Sequence, residues 1–91
     1  MVLNIPSELT NIQATAVLQR LGEQLAAESG PALTVDASAM ERFDSSALAV
    51  LLQLRRDALA LGKSFTVKGL PERLRALAGL YGVAELLTAS T

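Results

Sequence analysis

The 91-residue chain has no cysteine, no histidine and no tryptophan. Without cysteine, disulfide bonds and thiolate nucleophiles are excluded. Without histidine, a Ser-His-Asp triad and an imidazole base are excluded, and the two absences together remove the ligands of the common zinc sites. No glycine-rich loop that would cradle a phosphate is present either. We therefore expect a protein that is not an enzyme and that has no metal and no cofactor.

Charge of one sign and aromatic side chains are also scarce. Eight basic and nine acidic residues give a net charge of -1, and the aromatic residues are two Phe and one Tyr. This composition lacks the basic surface and the stacking platforms of nucleic-acid-binding proteins. The longest apolar run, residues 47–52, is too short to span a bilayer, and no basic and apolar leader begins the chain. We expect a cytoplasmic protein that meets a membrane only through a partner.

Apolar periodicity predicts three strand–helix repeats in a single domain over residues 1–91. Helices long enough to cross between parallel strands favour a small α/β sandwich with a mostly parallel sheet of three to four strands. The predicted strands are residues 2–5, 32–37 and 64–68, and the predicted helices are residues 10–29, 46–61 (starting at 45 or 46) and 71–81.

The apolar residues of predicted helix 46–61 cover more than half of its circumference and include Leu59, so this helix is expected to be central and heavily buried. In parallel sheets, ligands and partners meet the loops at the carboxyl ends of the strands. These loops are residues 38–45 and 68–71, which makes them the first place to look for function.

The turn Asp44-Ser45-Ser46 lies just before this apolar helix. One interpretation is capping, because Asp and Ser oxygens accept hydrogen bonds from first-turn amides. The other is a functional site, because three such residues exceed what one cap needs. A phosphoryl group on Ser45 would be stabilised by the helix end but would repel Asp44 and an acidic or apolar partner. The residues alone leave both interpretations open.

Neighbouring residues of the turn have similar alternatives. Phe43 and Met40 either contact a partner or pack against the first turn of the helix. Asp36 and Asp44 form a pair of carboxylates, but without a third ligand they make a poor magnesium or acid–base site. We therefore predict that no metal binds there.

Three segments resemble the STAS domain, which occurs in anti-sigma factor antagonists and in transporter-associated proteins. They are residues 35–38 (Val-Asp-Ala-Ser), 43–52 (Phe-Asp-Ser-Ser-Ala-Leu-Ala-Val-Leu-Leu) and 65–70 (Phe-Thr-Val-Lys-Gly-Leu). The resemblance covers residues 1–87 in order. It places Ser45 at the family's phosphoacceptor position.

Within the family, the chain is most similar to MlaB-type members, on its single-domain length and on residues 48–56 and 74–81. This resemblance implies an accessory subunit of the phospholipid ABC transporter that maintains outer-membrane lipid asymmetry. Such a subunit lies at the cytoplasmic face of the inner membrane and binds the transporter's ATPase. The implied contacts are Phe43, Asp44, Ser45, Ser46 and the helix that follows. The alternative is an anti-sigma factor antagonist whose Ser45 is phosphorylated by a serine kinase that is also its partner.

By this resemblance, we expect the strand that usually precedes residues 2–5 in this family to be missing, which would place residues 2–5 at a sheet edge. An exposed edge offers unpaired backbone groups. Either the short strand and Pro6 keep this edge unpaired, or a second copy pairs with it in a homodimer. The sequence leaves the oligomeric state open.

Overall fold

A computed structural model describes residues 1–87 of the chain. Three strand–helix repeats form its frame, as the sequence predicts, with two very short strands and a last helical turn added. The elements are β1 (Val2–Asn4), β2 (Glu8–Leu9), α1 (Ala14–Ala27), β3 (Ala32–Asp36), β4 (Arg42–Phe43), α2 (Ser46–Ala60), β5 (Ser64–Lys68), α3 (Glu72–Leu80) and α4 (Ala84–Leu87).

The main sheet has three parallel strands in the order β1-β3-β5. Its register places Leu3 beside Val35 and Val35 beside Val67. All three side chains are buried, so one row of apolar residues crosses the sheet on a single face. The predicted α/β fold with a parallel sheet is confirmed.

The order β1-β3-β5 also determines where the crossover helices lie. Because crossovers between parallel strands are right-handed and the order never reverses, α1 and α2 lie on the same face of the sheet. The helices bury an apolar stripe there, and α2 contributes most to it (Ala47, Leu48, Val50, Leu51, Leu54 and Ala58). The opposite face, where Val2, Thr34 and Thr66 alternate with the buried row, is more exposed.

Two details of the predicted helices differ in the structure. Helix α1 begins at Ala14 instead of Thr10, after a turn in which the Gln13 side chain accepts hydrogen bonds from the amide and hydroxyl of Thr10. This is half of the predicted capping box. In α2, Leu59 is 48% exposed, because the buried stripe of this helix is narrower near its carboxyl end.

A second sheet of two strands pairs β2 with β4 in parallel, within segments predicted as loops. Directly before this pairing, the Ser7 carbonyl accepts hydrogen bonds from the amides of Glu41 and Arg42. Strands of two residues are too short to show periodicity. The pairing of β2 with β4 matters for position, because the segments that follow both strands meet near the amino terminus of α2.

The loops after β3 and β5 touch closely. The Ala37 amide donates to the Lys68 carbonyl at 2.9 Å. Gly69 follows at φ +69°, and a Cβ atom placed there would lie 2.7 Å from the Ser38 Cβ. Only glycine fits this conformation and this distance.

Strand β1 occupies one edge of the three-stranded sheet, as expected, and it is only three residues long. Whether a second copy pairs with it stays a prediction. Among the helices of residues 1–87, none combines the length and the apolar character needed to cross a membrane.

Candidate functional site

The α2 amino-terminal turn, Asp44-Ser45-Ser46, is positioned by the two-stranded sheet. The register of this sheet places Leu9 beside Phe43. Because paired parallel strands point in the same direction, the residues that follow Leu9 lie close to the residues that follow Phe43. Leu9 is fully buried, which anchors the turn to the core.

The Asp44 carboxylate joins the two segments that meet there. Its Oδ1 accepts a hydrogen bond from the Ser46 amide at 2.8 Å, and its Oδ2 accepts one from the Asn11 amide at 3.1 Å. These two donors, Asn11 first and Ser46 second, hold the pKa of Asp44 below the ordinary value because they stabilise the charged form. The capping interpretation therefore holds for Asp44, which also fixes the loop before α1.

Ser45 is exposed, and its side chain makes no capping hydrogen bond. Its carbonyl accepts hydrogen bonds from the amides of Leu48 and Ala49 at 3.1 and 3.4 Å, so the backbone around it belongs to the helix start. Within residues 1–87 the Ser45 hydroxyl has no hydrogen-bond partner. The structure thus holds the backbone of Ser45 in place and leaves its hydroxyl available.

Phe43, directly before the turn, packs partly against the core and lies under a side chain from α3. The Arg73 guanidinium carbon is 4.8 Å from the centre of the Phe43 ring, a cation–π geometry. Met40 is 5% exposed, so it belongs to the core. Sequence reasoning missed Arg73, because nothing along the chain connects residues 43 and 73.

The family model described as "Mlab, STAS domain" matches residues 1–88. The chain belongs to the MlaB-type STAS domain family. No curated relative matches it significantly. STAS domains are accessory or regulatory domains that act by binding other proteins. This membership agrees with the resemblance found in the sequence.

A shallow groove of about 280 Å³ runs between α1 and α2 of this STAS domain, starting at the turn. Its lining side chains are uncharged, and the short side chains of Ala14 and Ala49 fill little of the space. The full lining is Ala14, Thr15, Leu18, Ser46, Ala49, Val50 and Gln53.

Ile12 lies next to the turn and was not recognised from the sequence. It follows Asn11, whose amide is bound by Asp44, and its side chain is 84% exposed. A β-branched apolar residue between Asn11 and Gln13, outside the helical stripe, is the signal that could have identified it. The STAS domain therefore presents an apolar side chain beside the polar turn.

Asp36, the other carboxylate considered from the sequence, belongs to a separate arrangement. It accepts hydrogen bonds from the Ser38 amide at 2.9 Å and the Ser38 hydroxyl at 2.6 Å, and it pairs with Lys68 at 3.7 Å. The Ser38 hydroxyl is the main cause of its lowered pKa, followed by the Ser38 amide. In the part of the STAS domain described here, no three acidic residues cluster as a metal site would require.

Proposed function

We propose that this STAS domain is a non-enzymatic accessory subunit that binds the ATPase of a phospholipid-transport ABC complex. The contact surface in this proposal is Phe43, Asp44, Ser45, Ser46 and the first turns of α2. The observation that carries it is the exposed Ser45 hydroxyl on a backbone fixed by Asp44. Membership of the MlaB-type family supports the choice of partner. In this proposal the protein lies at the cytoplasmic face of the inner membrane through that partner.

Preorganisation is the physical reason for choosing this turn. A surface whose backbone is already ordered loses less conformational entropy on binding than a mobile loop does. Asp44 provides this order by holding the amides of Ser46 and Asn11 at once. A partner can therefore approach Ser45 and the groove beside it without rearranging the turn.

The experiment is an affinity pull-down of the tagged protein from its own cells, with mass spectrometry of the partners and of Ser45. Recovery of a transporter ATPase and its permease is the expected result. Ser45→Asp should weaken the complex through the added charge, and Asp44→Ala should weaken it by releasing both amides. Ser29→Asp, at an exposed serine after α1, is the matched control and should bind normally.

Two results would contradict the proposal. One is recovery of no transporter subunit by the unmodified chain. The other is a complex that survives both Ser45→Asp and Asp44→Ala with unchanged affinity, because the turn would then lie outside the interface.

A second candidate function follows from the same hydroxyl. As an anti-sigma factor antagonist, the protein would bind a serine kinase that phosphorylates Ser45 and thereby ends the complex. An exposed serine hydroxyl at the start of a long helix suits this role, because the helix dipole stabilises the phosphoryl group. Recovery of a kinase or a sigma-factor regulator, with phosphate on Ser45, would favour this function over the first.

A further inference from the structure

Arg73 lies beside the candidate surface without belonging to its sequence motif. It is exposed, it extends from the first turn of α3, and its guanidinium stacks on Phe43. Phe43 is the residue directly before Asp44. The cation thus comes to the edge of the α2 amino-terminal turn from a helix that begins 26 residues after the turn ends.

We infer that Arg73 is a specificity-determining contact of this surface and that it binds a carboxylate on the ATPase subunit. The inference rests on the proposed function and adds the chemistry of the partner. Stacking on Phe43 restricts the guanidinium before the partner arrives, so less side-chain entropy is lost when the contact forms. The edge of the planar group remains able to bind a carboxylate in a bidentate manner.

The charges around the turn support an acidic partner group. Within residues 1–87 the ion pairs are Arg42 with Glu8 and Lys68 with Asp36, and Arg73 takes part in neither. The first turn of α2 has no acidic residue, and the Asp44 carboxylate already faces two amide donors. A carboxylate from the partner would complement the cation that this arrangement leaves without an acid.

The α3 helix contains its own matched control. Arg75 is also exposed and has the same charge, but it lies about 200° further round the helix axis. A general effect of net charge would appear equally at both arginines. A contact specific to the surface beside Phe43 would appear at Arg73 alone.

The test compares the binding of purified variants to the purified ATPase subunit at low and high salt. Arg73→Gln should weaken the affinity about tenfold at low salt, the size of one charge-assisted hydrogen bond. It should also reduce the salt dependence of the affinity. Arg75→Gln should bind like the unmodified chain, and Arg73→Lys should recover part of the affinity, because it keeps the charge but loses the fork.

Ile12→Ser provides a readout of a different kind. Ile12 is uncharged and lies on the Asn11 flank of the turn, so its replacement should weaken binding and leave the salt dependence unchanged. Circular dichroism of each variant establishes that the fold is retained. Neither Ile12 nor Arg73 is buried, so both variants are expected to fold.

The outcomes separate this inference from the proposed function. If the unmodified chain does not bind the ATPase subunit, both are overturned. If it binds, but Arg73→Gln and Arg75→Gln have equal affinity and salt dependence, the Arg73 inference is wrong and the proposed function stands. A loss confined to Arg73→Gln supports both.

Discussion

The protein contains two Asp-x-Ser turns, Asp36-Ala37-Ser38 at the end of β3 and Asp44-Ser45-Ser46 at the start of α2. In each, an aspartate Oδ1 accepts a hydrogen bond from the amide of the serine two residues on, at 2.9 Å in the first and 2.8 Å in the second. The backbone of both turns is therefore fixed by the same local bond. Everything beyond that bond differs.

The residues of the first turn make structural contacts within the fold. Its middle residue, Ala37, is fully buried, and the Ser38 hydroxyl donates to Asp36. Lys68 and Gly69 from the neighbouring strand end close over it. This turn is a joint between two strand ends, in which the Ser38 hydroxyl and the Asp36 carboxylate bond to each other and Asp36 also pairs with Lys68.

The second turn keeps its middle residue outside. Ser45 is exposed, its hydroxyl makes no capping bond, and the second oxygen of Asp44 reaches across to Asn11. The Asp-x-Ser sequence alone therefore does not mark a site. A residue becomes available for function when the aspartate holds the backbone and the fold leaves the middle side chain uncovered.

The largest expected effect lies beside the first turn, at Gly69→Ala. The new Cβ would meet Ser38 at 2.7 Å on a backbone with φ +69°. Strain and overlap together should lower the free energy of unfolding by about 2 to 4 kcal/mol, measured by urea denaturation.

Substitutions at two other glycines distinguish backbone strain from overlap with Ser38. Gly82→Ala has a similar positive φ, +72°, but no atom within 4 Å of the added Cβ. It should cost about 1 kcal/mol from backbone conformation alone. Gly22→Ala, inside α1 with open space around it, should stabilise the protein by about 0.5 to 1 kcal/mol. Equal losses at Gly69 and Gly82 would show that the contact with Ser38 contributes nothing.

The sequence predicted most of the fold because its main elements are long enough to show periodicity. The boundaries of β5 follow from alternating residues, and the parallel direction of the main strands follows from helices of crossover length. The strands β2 and β4 were missed, since two residues carry no period. Their pairing, however, decides that Asn11 reaches Asp44.

The candidate site was predictable only in its local part. The residues of the turn are consecutive, so family resemblance and capping chemistry both identify them. Ile12 and Arg73 arrive through tertiary contacts, from the loop before α1 and from α3. The sequence could have singled out Ile12 as an apolar residue outside the helical stripe, but only the folded chain shows that Ile12 and Arg73 lie beside the turn.

A smaller effect should appear in the acid range and should involve both turns. The pKa of Asp36 and of Asp44 lies below the ordinary value of 3.8 in the folded protein. Each carboxylate therefore adds stability above pH 3.8 that is lost as the pH falls through its folded pKa, because the unfolded chain takes up protons first. We expect the Asp36→Asn and Asp44→Asn variants to have a lower free energy of unfolding than the unmodified protein near neutral pH. This difference should become smaller as the pH falls, because the unmodified protein then loses the contribution of the charged carboxylate.

Urea denaturation from about pH 6 down to about pH 3 measures this difference for each variant. A difference that stays constant over this range would mean that neither carboxylate is preferentially charged in the folded state. If the stability difference becomes smaller at low pH only for Asp36→Asn, the hydrogen bonds from Asn11 and Ser46 to Asp44 do not persist in solution. The backbone of the second turn would then not be fixed by Asp44.

The smallest effect on stability is expected from removing one hydroxyl from each turn. Ser45→Ala removes a group with no partner within residues 1–87, so the free energy of unfolding should change by no more than about 0.5 kcal/mol. Ser38→Ala removes the 2.6 Å bond to Asp36 and should lower stability measurably more. Binding to the proposed ATPase partner should show the opposite order, with Ser45→Ala weakened and Ser38→Ala unchanged. If Ser45→Ala proves the more destabilising of the two, its hydroxyl has a structural role, and the second turn would be a joint like the first.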